Sequence, residues 1–325
     1  MKSEDISWAL GQTTVDATVA APDGPGKYPG IVLVAGSGPT DRNWESPILP
    51  GTNGSGRLIA EALAEAGYVT MRYDKRASGP RAQENLQHMA GQVSLESHFD
   101  ELQGAVSHLA CRADVDSNRL FALTSSEGAI HALYYQAHAG VVPFFGMVLT
   151  GAPGRALSEV TNYQVETQLA AMPNADDLIA RYHSLIHKFE NGEPFVPDPE
   201  LPEGFNNLVA ALSAPINQPF TREFWSFRAA DYIGRMSEPV LVVIGRKDIQ
   251  VDWSLDGTPL EEAAHGKENV TLFYPENANH VLKHEPRPRE ELTAANAMSA
   301  YNTPESSLDP ESLKTILEWL GRHSK

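Results

Sequence analysis

An α/β fold, with a mostly parallel twisted sheet and helices on both faces, is what this sequence predicts, and three observations predict it. First, short runs of β-branched and aliphatic residues recur at 30–34, 69–73, 120–123, 148–150, 240–244 and 270–274. Runs of that kind suit strands buried on both faces. Second, segments with helical apolar spacing lie between several of them, as at 55–67 and 95–110; strands alternating with helices build a parallel sheet. Third, Thr124-Ser125-Ser126-Glu127-Gly128 sits between the apolar run 120–123 and the helical stretch 129–133. A serine between small residues at a strand-to-helix turn is lifted above the sheet edge.

Taken in order, residues 5–20 read as two short strands around Gly11-Gln12, a hairpin edging the sheet, and Asp23-Gly24-Pro25-Gly26 is a turn cluster. The strand 30–34 runs into the glycine-rich loop Ala35-Gly36-Ser37-Gly38-Pro39. The helix over 55–67 stops at Gly67, ahead of the strand 69–73. In 95–110, Phe99, Leu102, Val106 and Leu109 recur near the helical period. Residues 114–118 then link that helix to the strand 120–123.

The interval 154–237 is far longer than an ordinary connection between two core strands. Helical segments near 158–171, 175–189 and 203–212 flank the proline-rich stretch 193–199. We read it as a helical cap over the serine, which divides the chain into core 1–153, cap 154–237 and core 238–325. Phe220, Phe224 and Trp225 are the candidate pocket-lining residues among its aromatics. The alternative is that such large apolar groups pack the cap onto the core.

Composition narrows the function. The 325 residues carry 25 basic and 42 acidic side chains, a net charge of −17 at pH 7. Such a chain gains nothing from counterion release on nucleic acid and is repelled by an anionic membrane surface. The single cysteine, Cys111, cannot form an intrachain disulfide and is expected to pack half-buried against a helix. No signal-peptide pattern follows Met1, and no apolar stretch reaches the length of a membrane span. A cytoplasmic enzyme acting on a small molecule fits these features; they leave oligomeric state open.

A serine hydroxyl is a weak nucleophile and needs a base, an orienting acid and an oxyanion hole. Asp248 follows the strand 240–244, at the carboxyl end where open α/β sheets gather their sites, with Asp252 as its competitor. His280 follows the strand 270–274, and His284 is its competitor one helical turn on. The backbone N–H groups of Glu127 and Ser37, or Gly36 in place of Ser37, are the oxyanion donors. Gly128 favours Ser126 over Ser125 as the nucleophile. The pairs His183/His187 and His280/His284 have metal-binding spacing but lack the glutamate of H-E-x-x-H, so no metal is expected. No cofactor is required.

Five motifs carry a family resemblance. They are residues 34–43, Tyr73-Asp74-Lys75-Arg76-Ala77-Ser78-Gly79, Ser126-Glu127-Gly128, Gly245-Arg246-Lys247-Asp248 and Asn279-His280-Val281-Leu282-Lys283. Together they resemble the α/β-hydrolase superfamily, most of all the dienelactone-hydrolase and serine-aminopeptidase-like esterases, over roughly residues 28–322. Departures are Thr124 for the usual elbow glycine, Ser125 beside the nucleophile, and Ala77 for a glycine. The resemblance implies a Ser126-Asp248-His280 triad cleaving carboxylic esters through an acyl-enzyme, with activity fading as acid protonates the histidine. An amidase, aminopeptidase or thioesterase would use the same triad, and a non-catalytic binding protein the same fold. An aminopeptidase would need acidic groups in the cap, where Glu159, Glu166 and Asp177 are available. Asp41, Arg42, Asp74, Lys75 and Arg76 cluster in two loops of the active face, either as ion pairs that brace the oxyanion loop or with Arg42 or Arg76 holding a substrate carboxylate.

Overall fold

In a computed structural model, which describes residues 1–138 and 140–324, the apolar runs assemble into one eight-stranded sheet. Its strands are β1 (Lys2–Leu10), β2 (Thr13–Ala21), β3 (Tyr28–Val34), β4 (Val69–Tyr73), β5 (Val115–Ser125), β6 (Gly146–Thr150), β7 (Val240–Val243) and β8 (Val270–Phe273). The helices are α1 (Ser55–Glu65), α2 (Ala82–Leu86), α3 (Leu95–Ala110), α4 (Gly128–Ala137), α5 (Leu157–Leu169), α6 (Ala175–Glu190), α7 (Glu203–Ser213), α8 (Phe220–Trp225), α9 (Ala229–Ile233), α10 (Gly257–Ala264), α11 (Ala294–Met298) and α12 (Pro310–His323).

The strands lie in the order β1-β2-β4-β3-β5-β6-β7-β8. β1 and β2 form an antiparallel hairpin, β2 is antiparallel to β4, and every later neighbour is parallel. Leu33 pairs with Leu123, Thr124 with Leu149, and Leu149 with Val242. The carboxyl ends of β3, β5, β6 and β7 are thereby level, and the loops that leave them share one rim.

Side-chain alternation along the strands explains the two layers of helices. Val32, Val34, Ala122, Met147, Leu149, Val240 and Val242 face Leu102, Val106, Ala132, Leu133, Ile233 and Leu260, from α3, α4, α9 and α10. Their neighbours Ile31, Leu33, Phe121, Leu123, Val148, Leu241 and Val243 face Ile59, Leu63, Ile316, Trp319 and Leu320, from α1 and α12. A strand covered on both faces has no polar side to present, which is why these runs read as continuously apolar.

Several elements extend beyond their sequence reading. The hairpin strands are longer, and β5 begins at Val115 because Tyr28 pairs with Val115 before the register shifts at Pro29/Gly30. Helix α12 was not read from the sequence, although Asp309 caps it by accepting from Ser312 N at 2.8 Å and Pro310 stands at its start. Cys111, expected to be half-buried, is exposed where α3 ends.

Between β6 and β7 the chain forms α5 to α9. Val165, Leu169, Leu185, Phe189, Phe205 and Val209 make a separate apolar cluster joining α5, α6 and α7. Ala229 and Ile233 of α9 instead join the core cluster beneath the sheet. Among the described residues no helix is long and apolar enough to cross a membrane.

Candidate active site

Ser126 leaves β5 with φ +53, a left-handed conformation that a serine rarely adopts. Its N–H donates to Thr150 O at 2.8 Å, which holds the turn to the neighbouring strand. Helix α4 starts two residues later at Gly128, where a Cβ would stand 2.5 Å from Val34 O and 2.8 Å from Ala35 O. Only a glycine lets the helix start press against the end of β3. Thr124, the departure from the usual glycine, is still a strand residue; its carbonyl accepts from Thr150 Oγ1 at 2.6 Å. Ser125 is buried beside it at the strand's end, and Ser126 alone of the two serines has the strained backbone.

Asp248 is fully buried in the loop after β7. Its Oδ1 accepts from Gln250 N at 2.8 Å and Val251 N at 2.9 Å, and its Oδ2 lies 2.8 Å from His280 Nδ1. The carboxylate is therefore aimed by two backbone donors before it meets the imidazole. The His280 loop is fixed in turn. Asn279 Oδ1 accepts from Val281 N and Lys283 N, and the buried Lys283 Nζ donates to Asn53 O at 2.8 Å. Burial pushes the Lys283 ammonium down to about 8. Asp252, the competing acid, pairs with Arg289 at 2.6 Å, and His284, the competing base, lies 3.4 Å from Asp309. Ser126 and His280 line the same cavity, with no direct hydrogen bond between them among the described residues.

The proposed oxyanion donors flank the serine. Ser37 and Glu127 line that cavity too, and neither N–H has a protein acceptor among the described residues. Arg42 and Asp74 are bonded to each other, Arg42 N to Oδ1 at 2.7 Å and Nε to Oδ2 at 3.2 Å. Burial raises the Asp74 carboxyl to about 6, against the pull of the Arg42 charge. Arg76 pairs with Glu101 at 2.8 Å. Neither arginine lines the cavity; both tie loops beside it.

The cavity measures about 860 Å³ and its wall is mainly apolar. Phe220 and Phe224 contribute to that wall from α8. Trp225 does not. Its ring packs edge-on against Phe189, with centroids 5.4 Å apart, and its Nε1 donates to Glu190 Oε1 at 2.9 Å. Consecutive residues on a helix point about 100° apart, so α8 sends Phe224 and Trp225 to different sides.

Sequence reasoning counted Lys75 among the loop-bracing charges but missed its partners in a buried charged cluster beside the serine. Glu127 Oε1 lies 3.4 Å from Lys75 Nζ and 3.1 Å from His131 Nε2. The His131 ring stands 4.5 Å from that of His98, which lines the cavity and whose Nδ1 is 3.0 Å from Glu101 Oε2. The signal available was a glutamate directly after the serine, charged in a stretch otherwise destined for burial. Burial alone would raise the Glu101 carboxyl, but His98 and Arg76 outweigh it and bring it down to about 2. A carboxylate lowered on folding contributes stability above its unfolded value near 4.5 and loses it as pH falls toward 2. Glu101→Gln is therefore expected to cost about 3 kcal/mol at neutral pH by breaking a buried pair. Urea titrations of both proteins should show the gap narrowing across that acid window. A gap that stays constant would mean that ionised Glu101 contributes nothing particular.

No family model matches the chain. The esterase EstD of Thermotoga maritima is 27% identical over 269 residues, a match spanning 81% of this chain but only 57% of that relative. An esterase structure from Pyrococcus furiosus superposes with a TM-score of 0.59 at 17% identity, over 100% of this chain and 92% of that one. An alpha/beta hydrolase from Penicillium sp. sh18, GrgF, superposes at 0.57 with 16% identity, over 100% and 99%. The chain has the α/β-hydrolase fold. In the α/β-hydrolase fold the nucleophile turn follows a central strand, and here Ser126 follows β5, flanked by β3 and β6. The order Ser126, Asp248, His280 also matches the chain order of an α/β-hydrolase triad.

Proposed function

We propose that the chain is a serine hydrolase of carboxylic esters working through an acyl-enzyme on Ser126. The observation that carries this reading is the strained turn of Ser126 opening onto the same cavity as His280, whose Nδ1 is held 2.8 Å from a buried carboxylate. Asp248 keeps the Nδ1–H tautomer, which leaves Nε2 free to take the Ser126 proton as the hydroxyl attacks. The N–H groups of Glu127 and Ser37 receive the negative oxygen. His280 then protonates the leaving alcohol and later activates water. The bond from Nε2 to the serine forms as substrate closes the site, since such contacts are often long in free enzymes. The likeness to an esterase in sequence supports the same chemistry.

In this reading α5 to α8 are the cap, and α9 belongs to the core that its apolar residues join. The cap's apolar wall receives the acyl or alcohol part of a small ester. A peptidase reading is disfavoured by where the cap acids lie. Glu159 pairs with Arg228, Glu166 with His183 and Asp177 with Arg181, and none of the three lines the cavity. Glu127, the carboxylate that does, is committed to Lys75 and His131. A cytoplasmic setting belongs to the same proposal, in keeping with a single cysteine and a net charge of −17.

Nitrophenyl esters of graded acyl length and aminoacyl anilides test it side by side, together with a fluorophosphonate probe. Ester turnover and a single labelled peptide containing Ser126 are expected. Faster anilide than ester cleavage would overturn the ester assignment, and an unlabelled, inert protein would overturn the enzyme.

A further inference from the structure

Lys75 is buried, with a side chain 5% exposed, yet it lines the cavity beside Ser126. Its Nζ donates to the Gly36 carbonyl at 2.5 Å and lies 3.4 Å from Glu127 Oε1. A buried ammonium on a flexible stem is costly to desolvate and order, and a merely structural pair is often replaceable by apolar residues. Both of its contacts fall on the loops assigned to the oxyanion.

We propose that Lys75 is a positioning residue that sets the oxyanion hole from behind by fixing the peptide plane between Gly36 and Ser37. The inference rests on the hydrolase reading above. A trans peptide is planar, with its C=O and N–H pointing opposite ways. Drawing the Gly36 oxygen onto the Lys75 ammonium turns the Ser37 N–H to the other side, away from Lys75. Gly36 and Gly38 give this loop unusual rotational freedom, so the plane needs an external anchor. The same ammonium holds the carboxylate of Glu127, whose own N–H is the second donor. One cation therefore ties both donor loops together. The loops already touch, since a Cβ on Gly36 would stand 3.2 Å from Ser125 O and 3.3 Å from Ser126 Cβ. His131 Nε2 lies 3.1 Å from the same Glu127 Oε1 and shares that oxygen with Lys75. Burial alone would raise Glu127, but the Lys75 charge and the hydrogen bond with His131 hold it well below the usual carboxylate range.

Donors placed in advance favour the transition state over the bound ester, so their loss should appear in kcat more than in KM. The experiment measures p-nitrophenyl butyrate hydrolysis and phenylboronic acid affinity, because the boronate adduct on serine reproduces the tetrahedral oxyanion. Wild type is compared with Lys75→Met and with Lys75→Met/Glu127→Gln. The single variant strands the Glu127 charge; the double variant removes it and so separates folding from positioning. Both are expected to lose about 10- to 100-fold in kcat, with boronate affinity falling by a similar factor. KM should move by less than about threefold. The proposal is overturned if a folded variant keeps kcat and boronate affinity near wild type. It is equally overturned if the double variant regains what the single one loses, for then the stranded charge was the cause. The hydrolase reading fails separately, on wild-type protein that turns over no ester.

Discussion

Ser126→Ala is expected to lower kcat for nitrophenyl esters by about 10⁴-fold or more while leaving the fold intact. The size follows from the proposed chemistry. Without the hydroxyl no acyl-enzyme forms, and what remains is binding and oxyanion stabilisation of direct attack by water. The stability change should be small, because the side chain is partly exposed. Alanine meets the same backbone strain at φ +53 as serine does, so the turn is stressed equally in both proteins. Ser125→Ala is the informative companion. Should Ser125→Ala abolish turnover while Ser126→Ala preserves it, the nucleophile is the neighbouring serine and the elbow assignment is wrong.

Asp248→Asn should cost about 10³- to 10⁴-fold in kcat through the tautomer of His280. The structure dictates which way the new amide would turn. Two backbone N–H groups, from Gln250 and Val251, point at Oδ1 from 2.8 and 2.9 Å. The amide oxygen must occupy that side, which leaves the NH₂ facing His280 Nδ1 where Oδ2 stood at 2.8 Å. Donating to Nδ1 forces the proton onto Nε2, and the imidazole can no longer take one from the serine. KM should change little, since Asp248 lies behind the imidazole and does not line the cavity. A loss below about tenfold, measured on folded protein, would assign the orienting role to another group.

Much of this site was legible one residue at a time. Ser126, Asp248 and His280 each follow a strand-like apolar run, and local signals of that kind survive in sequence because burial on both faces admits few polar residues. The helix α3 was legible through the spacing of Phe99, Leu102, Val106 and Leu109, three of which are fully buried in the core. Trp225 was not separable from Phe224 by sequence, because both are large aromatics in one short helix. Its partner Phe189 lies 36 residues earlier in chain numbering, on another helix, and only the packing of α6 against α8 brings them within 5.4 Å. The same holds for Arg42 and Arg76. Their charges mark them as candidates for a substrate carboxylate, but Asp74 and Glu101 already hold them.

Sequence alone specified the core strands in their chain order and several of the helices between them, together with the three candidate side chains of the proposed triad. Each of those depends on local patterns: apolar periodicity, turn residues and the position of a polar group after a strand. The fold in three dimensions decided the rest. It brought Lys75 of the loop after β4 against Gly36 and Glu127, seated His98 and Glu101 of α3 beside them, and divided the cap's aromatics between cavity wall and packing. The reason is that a charge becomes paired, and an aromatic becomes a wall, only through neighbours that the chain supplies from distant positions.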